Sequence, residues 1–178
     1  MKANLINEGV KYGVICGLIA LLSVFGSWAA GDATFATVQK YANFMPYMFV
    51  IILLGTFSIR KQNNGYLSFA EGLKFSFLAF ALSTVLLGLG NYILFNLIDT
   101  GLSERIAVIA IEDMQKMMEK FGASEEDIEK SIASSADSLK DTGFKKIFLG
   151  VGLSLIIGFI ESSIISAIAK KEEKFEDQ

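Results

Sequence analysis

Charged residues are spaced so unevenly along the chain that they separate four long apolar stretches. The stretches cover residues 12–31, 41–59, 75–98 and 147–169, and only the last contains a charge, at Glu161. About 20 apolar residues in a helix cross the hydrocarbon core of a bilayer, and a helix leaves no backbone polar group unpaired in lipid. The pattern predicts an all-α polytopic membrane protein, with four transmembrane helices in a single membrane domain over residues 1–178.

The segment between the third and fourth spans, residues 99–146, has a helical pattern of its own. Apolar residues recur there at spacings of three and four, which indicates an amphipathic helix: Ala107, Ala110, Ile111, Met114, Met117, Met118 and Phe121. Gly122 ends this stripe and Ser124 suits a new helix start. A second stripe follows at Ile128, Ile132, Ala136 and Leu139. We predict a helical hairpin outside the membrane.

Two interpretations of the hairpin remain open. In one, the two apolar stripes pack against each other. In the other, Met114, Met117 and Met118 form a docking surface for a partner, because methionine adapts to irregular surfaces. Thioether sulfurs also suit copper(I), but three methionines without cysteine or histidine are a weak signal, so no metal site is predicted.

Small residues recur every four positions in the first and last spans. They are Gly9, Gly13 and Gly17 at the start of the chain, and Gly150, Ser154, Gly158 and Ser162 near its end. Small residues at this spacing let helix backbones approach closely. The two stripes are predicted to be helix-packing seams that meet each other or meet a second copy of the chain.

Composition excludes several classes of function. The net charge is −3, which argues against a basic nucleic-acid binder. The chain has no histidine and one cysteine, so it has no Ser-His-Asp catalysis, no histidine-ligated metal and no internal disulfide. We therefore expect no catalytic residues and no cofactor.

Basic residues near the spans predict the orientation in the membrane. Three segments that would share one side carry eight of them: Lys2, Lys11, Arg60, Lys61, Lys74, Lys170, Lys171 and Lys174. The segment over 32–40, expected to be a short loop on the other side, carries only Lys40. These counts predict a membrane protein with both termini in the cytoplasm and residues 99–146 outside it.

The first span could also be a cleaved signal peptide, since small residues follow its apolar run. Its 20 uncharged residues exceed the usual apolar region of about 7–15, and Glu8 lies just before them. A retained transmembrane helix is the favoured interpretation.

Residues 59–74 carry a family resemblance, with the sequence IRKQNNGYLSFAEGLK. The segment resembles the one between the second and third spans of the membrane proteins in domain-of-unknown-function family 4199 (DUF4199). An arginine ends the second span there, and a Gly–Ser-Phe–Glu stretch leads into the third. The resemblance implies a bacterial inner-membrane protein of about four helices with no established activity, and it brings no site residues.

Glu161 is the main candidate for intramembrane chemistry. A charge near the bilayer centre costs at least about 2.5 kcal/mol, so the carboxyl group is either a proton or ion site, or a neutral group hydrogen-bonded to its neighbours. We predict a non-enzymatic assembly or accessory protein in contact with lipid and with a membrane-protein partner. The alternative is a small proton- or ion-coupled carrier that acts as a homo-oligomer through Glu161.

Overall fold

The computed structural model describes residues 3–42 and 46–171, and for 136–140 only the backbone. Within these residues the chain is all-α, with no strand. Its elements are α1 (Leu5–Ala29), α2 (Asp32–Ala42), α3 (Tyr47–Gln62), α4 (Phe69–Ile93) with a π-helical turn at Leu94–Ile98, α5 (Leu102–Lys120), α6 (Glu125–Lys140) and α7 (Phe144–Ala169).

Three of these helices are long and apolar enough to cross a membrane. They are α1, α4 with its π-helical turn (Phe69–Ile98) and α7, and a fourth span results only if α2 and α3 count as one broken span. The helices indicate a membrane location, and the first, third and fourth predicted spans correspond to single helices of the required length.

The second predicted span, 41–59, is not confirmed as one helix, and the segment over 32–40, expected to be a loop, is helical. Helix α2 covers Asp32–Ala42, and α3 begins again only at Tyr47, after Pro46 as its N-cap residue. Proline has no N–H to donate and disfavours the helical conformation in the residue before it. The segment expected to be a loop is helical because it contains neither glycine nor proline and begins with Asp32, whose charge is favourable at a helix N-terminus.

The chain divides into two compact units. The first contains Met1–Leu21, Met45–Gly88 and Gly150–Gln178, and the second contains Leu22–Phe44 and Leu89–Leu149. The described core of the first unit consists of Cys16, Ile52, Ile59, Leu67, Phe75, Ala79, Phe80, Ile165 and Ala169.

In the second unit, α5 packs against both α6 and α2. Its buried apolar residues include Phe35, Leu94, Leu102, Ala107 and Ile128. The Phe35 ring meets the Phe95 ring edge-on at 5.9 Å. The predicted helical hairpin over 99–146 is thereby confirmed as two packed helices. The Ala136 and Leu139 side chains of the second stripe lie outside the described residues.

Local signals set the helix ends that were predicted. Ser68 and Glu71 form a reciprocal capping box before α4: the Ser68 N–H donates to Glu71 Oε2 at 2.9 Å, and the Glu71 N–H donates to Ser68 Oγ at 3.3 Å. Ser124 is the N-cap of α6, and its Oγ accepts from the Asp127 N–H. Gly122 ends α5 with a φ of +77°, a conformation that favours glycine.

Candidate functional site

The glycine stripe on α1 lies directly against α4. A Cβ atom at Gly9 or Gly17 would come within 2.9 Å of Leu78 or 2.7 Å of Leu86. At Gly13 it would lie 2.9 Å from the Ala79 carbonyl oxygen, which is backbone and cannot rotate away. Only glycine lets the backbones of α1 and α4 come this close. At this short distance the Ser83 Oγ donates a hydrogen bond to the Gly13 carbonyl at 3.0 Å.

The stripe on α7 also faces α4, over part of its length. A Cβ at Gly158 would collide with the Phe80 ring. The buried Ser162 accepts a hydrogen bond at its backbone carbonyl from Ser76 Oγ at 3.3 Å. Ser154 is half-buried, and no described atom lies within 4 Å of a Cβ built at Gly150.

The α1 stripe and the buried part of the α7 stripe lie against α4 and not against each other, and contact with a second copy of the chain stays a prediction. A third set of small residues, on α4 itself, accounts for this arrangement and was not predicted. Gly72, Ser76, Ala79 and Ser83 recur at spacings of four, three and four. Gly72 lies against Ser166 of α7, whose hydroxyl donates to the Phe69 carbonyl. The regular spacing of these small residues is visible in the sequence, but larger apolar residues lie between them and make it hard to recognise.

Glu161 lies half-buried on α7. It is eight residues before Ala169, or about 12 Å along the helix axis at 1.5 Å per residue. No other residue of the described chain makes a hydrogen bond or ion pair with its carboxylate. The neighbouring Ile157, Ile160 and Ile164 are exposed. Glu161 is thus at the border between the surface that packs on α4 and an outward apolar surface.

A polar cluster at the start of α5 links four segments of the second unit. Arg105 contacts Asp32 at 2.6 Å and Asp99 at 2.7 Å, and the Trp28 Nε1–H donates to Asp99 Oδ2 at 2.9 Å. We call Trp28, Asp32, Asp99 and Arg105 the arginine clasp. It joins the end of α1 to the start of α2, the end of the π-helical turn and the start of α5.

Charge pairing within the clasp shifts the pKa values of Asp99 and Arg105. The Arg105 guanidinium, helped by the Trp28 indole, lowers the pKa of Asp99 to about 2. The two carboxylates raise the pKa of Arg105 above its ordinary value. A second ion pair, Lys40 to Asp113 at 2.8 Å, joins α2 to α5 and lowers the pKa of Asp113. Asp99 and Arg105 are therefore both charged at neutral pH.

The three methionines of the predicted docking surface differ in their exposure to solvent. Met114 and Met118 are half-buried, whereas the Met117 side chain is 56% exposed. Phe121, at the C-cap of α5, is 82% exposed. We call Met117 and Phe121 the hairpin tip. Among the residues that the structure describes, no group of three or more His, Cys, Asp or Glu side chains could hold a metal ion.

Comparison with known protein families decides the family. The family model for DUF4199, described as a protein of unknown function, matches residues 11–171. The chain belongs to the DUF4199 family. This match confirms the resemblance and covers most of the chain. Searches of the curated proteins and of the solved structures found no match. The description of DUF4199 names no activity.

Proposed function

We propose that this DUF4199 protein is a non-enzymatic assembly or accessory protein of the bacterial inner membrane. In this proposal the membrane helices anchor the chain, and the extracytoplasmic hairpin binds a membrane-protein partner. The observation that carries the proposal is the exposure of Phe121, which leaves a large apolar ring uncovered beside Met117. Large aromatic side chains supply much of the binding energy at protein interfaces.

The backbone of the hairpin tip is fixed. The Ala123 N–H donates to the Met118 carbonyl, and the Gly122 N–H donates to the Glu119 carbonyl, each at 3.0 Å. This pattern is a Schellman motif, which satisfies the last carbonyls of a helix. Phe121 is therefore presented by a defined turn, and little conformational entropy is lost when a partner covers it.

Carboxylates are frequent in the sequence around the hairpin tip. Glu119 lies between its two residues on α5, and Glu125, Glu126 and Asp127 form the exposed first turn of α6. The whole segment over 99–146 has seven basic and eleven acidic residues. An apolar partner segment that carries lysine or arginine would complement this surface, because opposite charges favour encounter and suppress wrong partners.

Site-specific photocrosslinking in native membranes tests the proposal. A photoreactive phenylalanine analogue at position 121 should capture one partner protein, and the same analogue at position 108 should not. Val108 is the matched control because it is 55% exposed on the same helix. The double substitution Met117→Ser/Phe121→Ser should dissociate the complex on native gels, whereas Val108→Ser should leave it intact. Equal capture at both positions, or a complex that resists the double substitution, would refute the proposal.

A carrier function is the second candidate, and the position of Glu161 favours it. A carboxyl group within a membrane helix that lacks a partner in the described chain can exchange a proton or hold a cation. In this alternative the chain acts as a homo-oligomer, and copies meet near Glu161. Proton flux into vesicles should be abolished by Glu161→Gln but not by Glu104→Gln, since Glu104 is exposed on α5. Flux that is equal in both variants would exclude the carrier.

The inner-membrane orientation with cytoplasmic termini belongs to the same proposal. Labelling of single cysteines introduced at Lys11 and at Lys130, in a chain whose buried Cys16 is replaced by alanine, tests it. We expect a membrane-impermeant reagent applied to spheroplasts to label position 130 only. Labelling at position 11 and not at position 130 would show that the orientation is the opposite of the proposed one.

A further inference from the structure

Backbone and side-chain bonds bring three distant segments together at one end of the first unit. The Ala3 N–H donates to Asn63 Oδ1 at 2.8 Å, which joins the start of the described chain to the turn after α3. Leu67 and Lys171 exchange two backbone hydrogen bonds, at 2.9 and 2.8 Å. The N-terminal segment, the α3–α4 turn and the end of α7 therefore lie side by side.

This end of the unit is rich in cations. We give the name basic end to Arg60 and Lys61, in the last turn of α3, and to Lys170 and Lys171, which follow the end of α7. Glu71, close to the same turn, belongs to the capping box of α4. The sequence continues beyond Lys171 with four acidic residues and Lys174.

The contacts of Arg60 and Lys171 define the shape of the surface. Arg60 Nη1 donates to the Ala169 carbonyl at 3.1 Å, at the C-terminus of α7, and its guanidinium lies 5.0 Å from the Phe57 ring. Lys171 Nζ lies 5.9 Å from the Tyr66 ring. Lys61 and Lys171 are exposed beside this arrangement. An aromatic ring next to exposed lysines, where apolar helices end, is typical of a membrane–water interface.

We propose that the basic end binds the phosphate of an anionic phospholipid, and that Lys61 and Lys171 make the main charge contacts. The occupant is a lipid because Arg60 and Lys61 lie in the last turn of α3 and Lys171 follows the end of α7. Lipid headgroups would meet the chain at these helix ends. Each lysine or arginine near an anionic membrane surface contributes about 1 kcal/mol of attraction. Arg60 is a positioning residue that fixes the α3 end against α7.

Native mass spectrometry of the full chain in detergent tests the proposal, with phosphatidylglycerol, phosphatidylcholine or inorganic phosphate added. We expect retained phosphatidylglycerol, little phosphatidylcholine and no retained phosphate. The double variant Lys61→Gln/Lys171→Gln should bind phosphatidylglycerol at least about tenfold more weakly. The control Lys120→Gln/Lys145→Gln removes the same charge elsewhere, from exposed residues of α5 and α7, and should bind as the native chain does.

The comparison between lipids decides the result even if a variant fails to fold. Equal retention of phosphatidylglycerol and phosphatidylcholine by the native chain would overturn the proposal. So would equal weakening in both double variants, since that would indicate a general charge effect. Lys61→Arg/Lys171→Arg should keep full binding, because it preserves both charges without depending on the exact side chain. Retention of free phosphate would point to a soluble anion in place of a lipid.

Discussion

Arg105 holds Asp99 through two parallel hydrogen bonds, Nη1 to Oδ1 at 3.1 Å and Nη2 to Oδ2 at 2.7 Å. The same guanidinium also contacts Asp32, 73 residues away in sequence. A planar guanidinium can serve two carboxylates at once, which a lysine ammonium does with far less geometric control. The start of α5 is therefore tied to segments that come both directly before it and long before it in the chain.

Trp28 should report the state of the arginine clasp by its fluorescence, since it is the only tryptophan in the chain. The pKa of Asp99 is about 2 in the fold, below the ordinary aspartate value of 3.8. Ionised Asp99 therefore stabilises the fold at all pH values above about 4, and this contribution is lost as the pH falls towards 2. We expect constant Trp28 emission from pH 8 to about pH 4 and a change below it. A transition near pH 6 would contradict this assignment.

Substitutions at Arg105 should disrupt the clasp at neutral pH. Arg105→Gln removes the charge and should shift Trp28 emission and lower the thermal midpoint of the hairpin. Arg105→Lys keeps the charge but not the bidentate geometry, so it should give an intermediate result. Lys130→Gln, an exposed charge loss on α6, is the control and should change neither quantity. If Arg105→Lys behaved as the native chain does, geometry would be unimportant and charge alone would suffice.

Glycine-to-alanine substitutions should show which glycines are required for close helix packing and which are not. Gly13→Ala places a Cβ atom 2.9 Å from the Ala79 carbonyl oxygen and should lower the free energy of unfolding by about 1–3 kcal/mol. Gly150→Ala meets no described atom within 4 Å and should be neutral or stabilise by up to about 1 kcal/mol. Denaturation in detergent micelles measures both values. Equal effects at the two positions would show that α1 does not pack on α4 through Gly13.

The N-cap of α6 gives a prediction for the hairpin. Ser124→Ala removes the acceptor for the Asp127 N–H and should cost about 1 kcal/mol. Ser134→Ala changes the same residue type inside α6, where the serine hydroxyl donates to the Ser131 carbonyl at 2.9 Å. It should be neutral or slightly stabilising, because alanine is the better helix former. Circular dichroism of the thermal transition distinguishes the two, and an equal loss in both would argue against capping.

Local features of the fold were predictable from sequence, because their causes lie within a few residues. Ser68 with Glu71, Ser124 with Asp127, and Gly122 each stand next to the helix end that they set. The break before α3 was also predictable from Pro46, but the long apolar run around it hid the signal. A long apolar run indicates that a segment is long enough to cross lipid. It does not show that one residue in the run, a proline without an N–H, interrupts the helix.

Partner choice between helices was not predictable in the same way. Gly13 indicates that some backbone comes close, but its partner Ala79 is 66 positions later. Several small-residue stripes could have served equally well. The arginine clasp was missed for a similar reason, since Asp32 and Arg105 sit in segments expected to be a loop and a helix start. The candidate residues Glu161, Met114, Met117 and Met118 were identified by type, whereas their exposure required the fold.

The central position of α4 has a consequence for biosynthesis. Both small-residue stripes lie against α4, which is synthesised after α1 and before α7. The glycines of α1 that face α4 therefore stay uncovered until residues 78–86 have been synthesised. Helix α7 is synthesised last, and more than half of its residues are exposed in the fold. The order of synthesis allows α1 to pack first on α3, through Tyr12 and Gly55, and then on α4, and α7 completes the assembly.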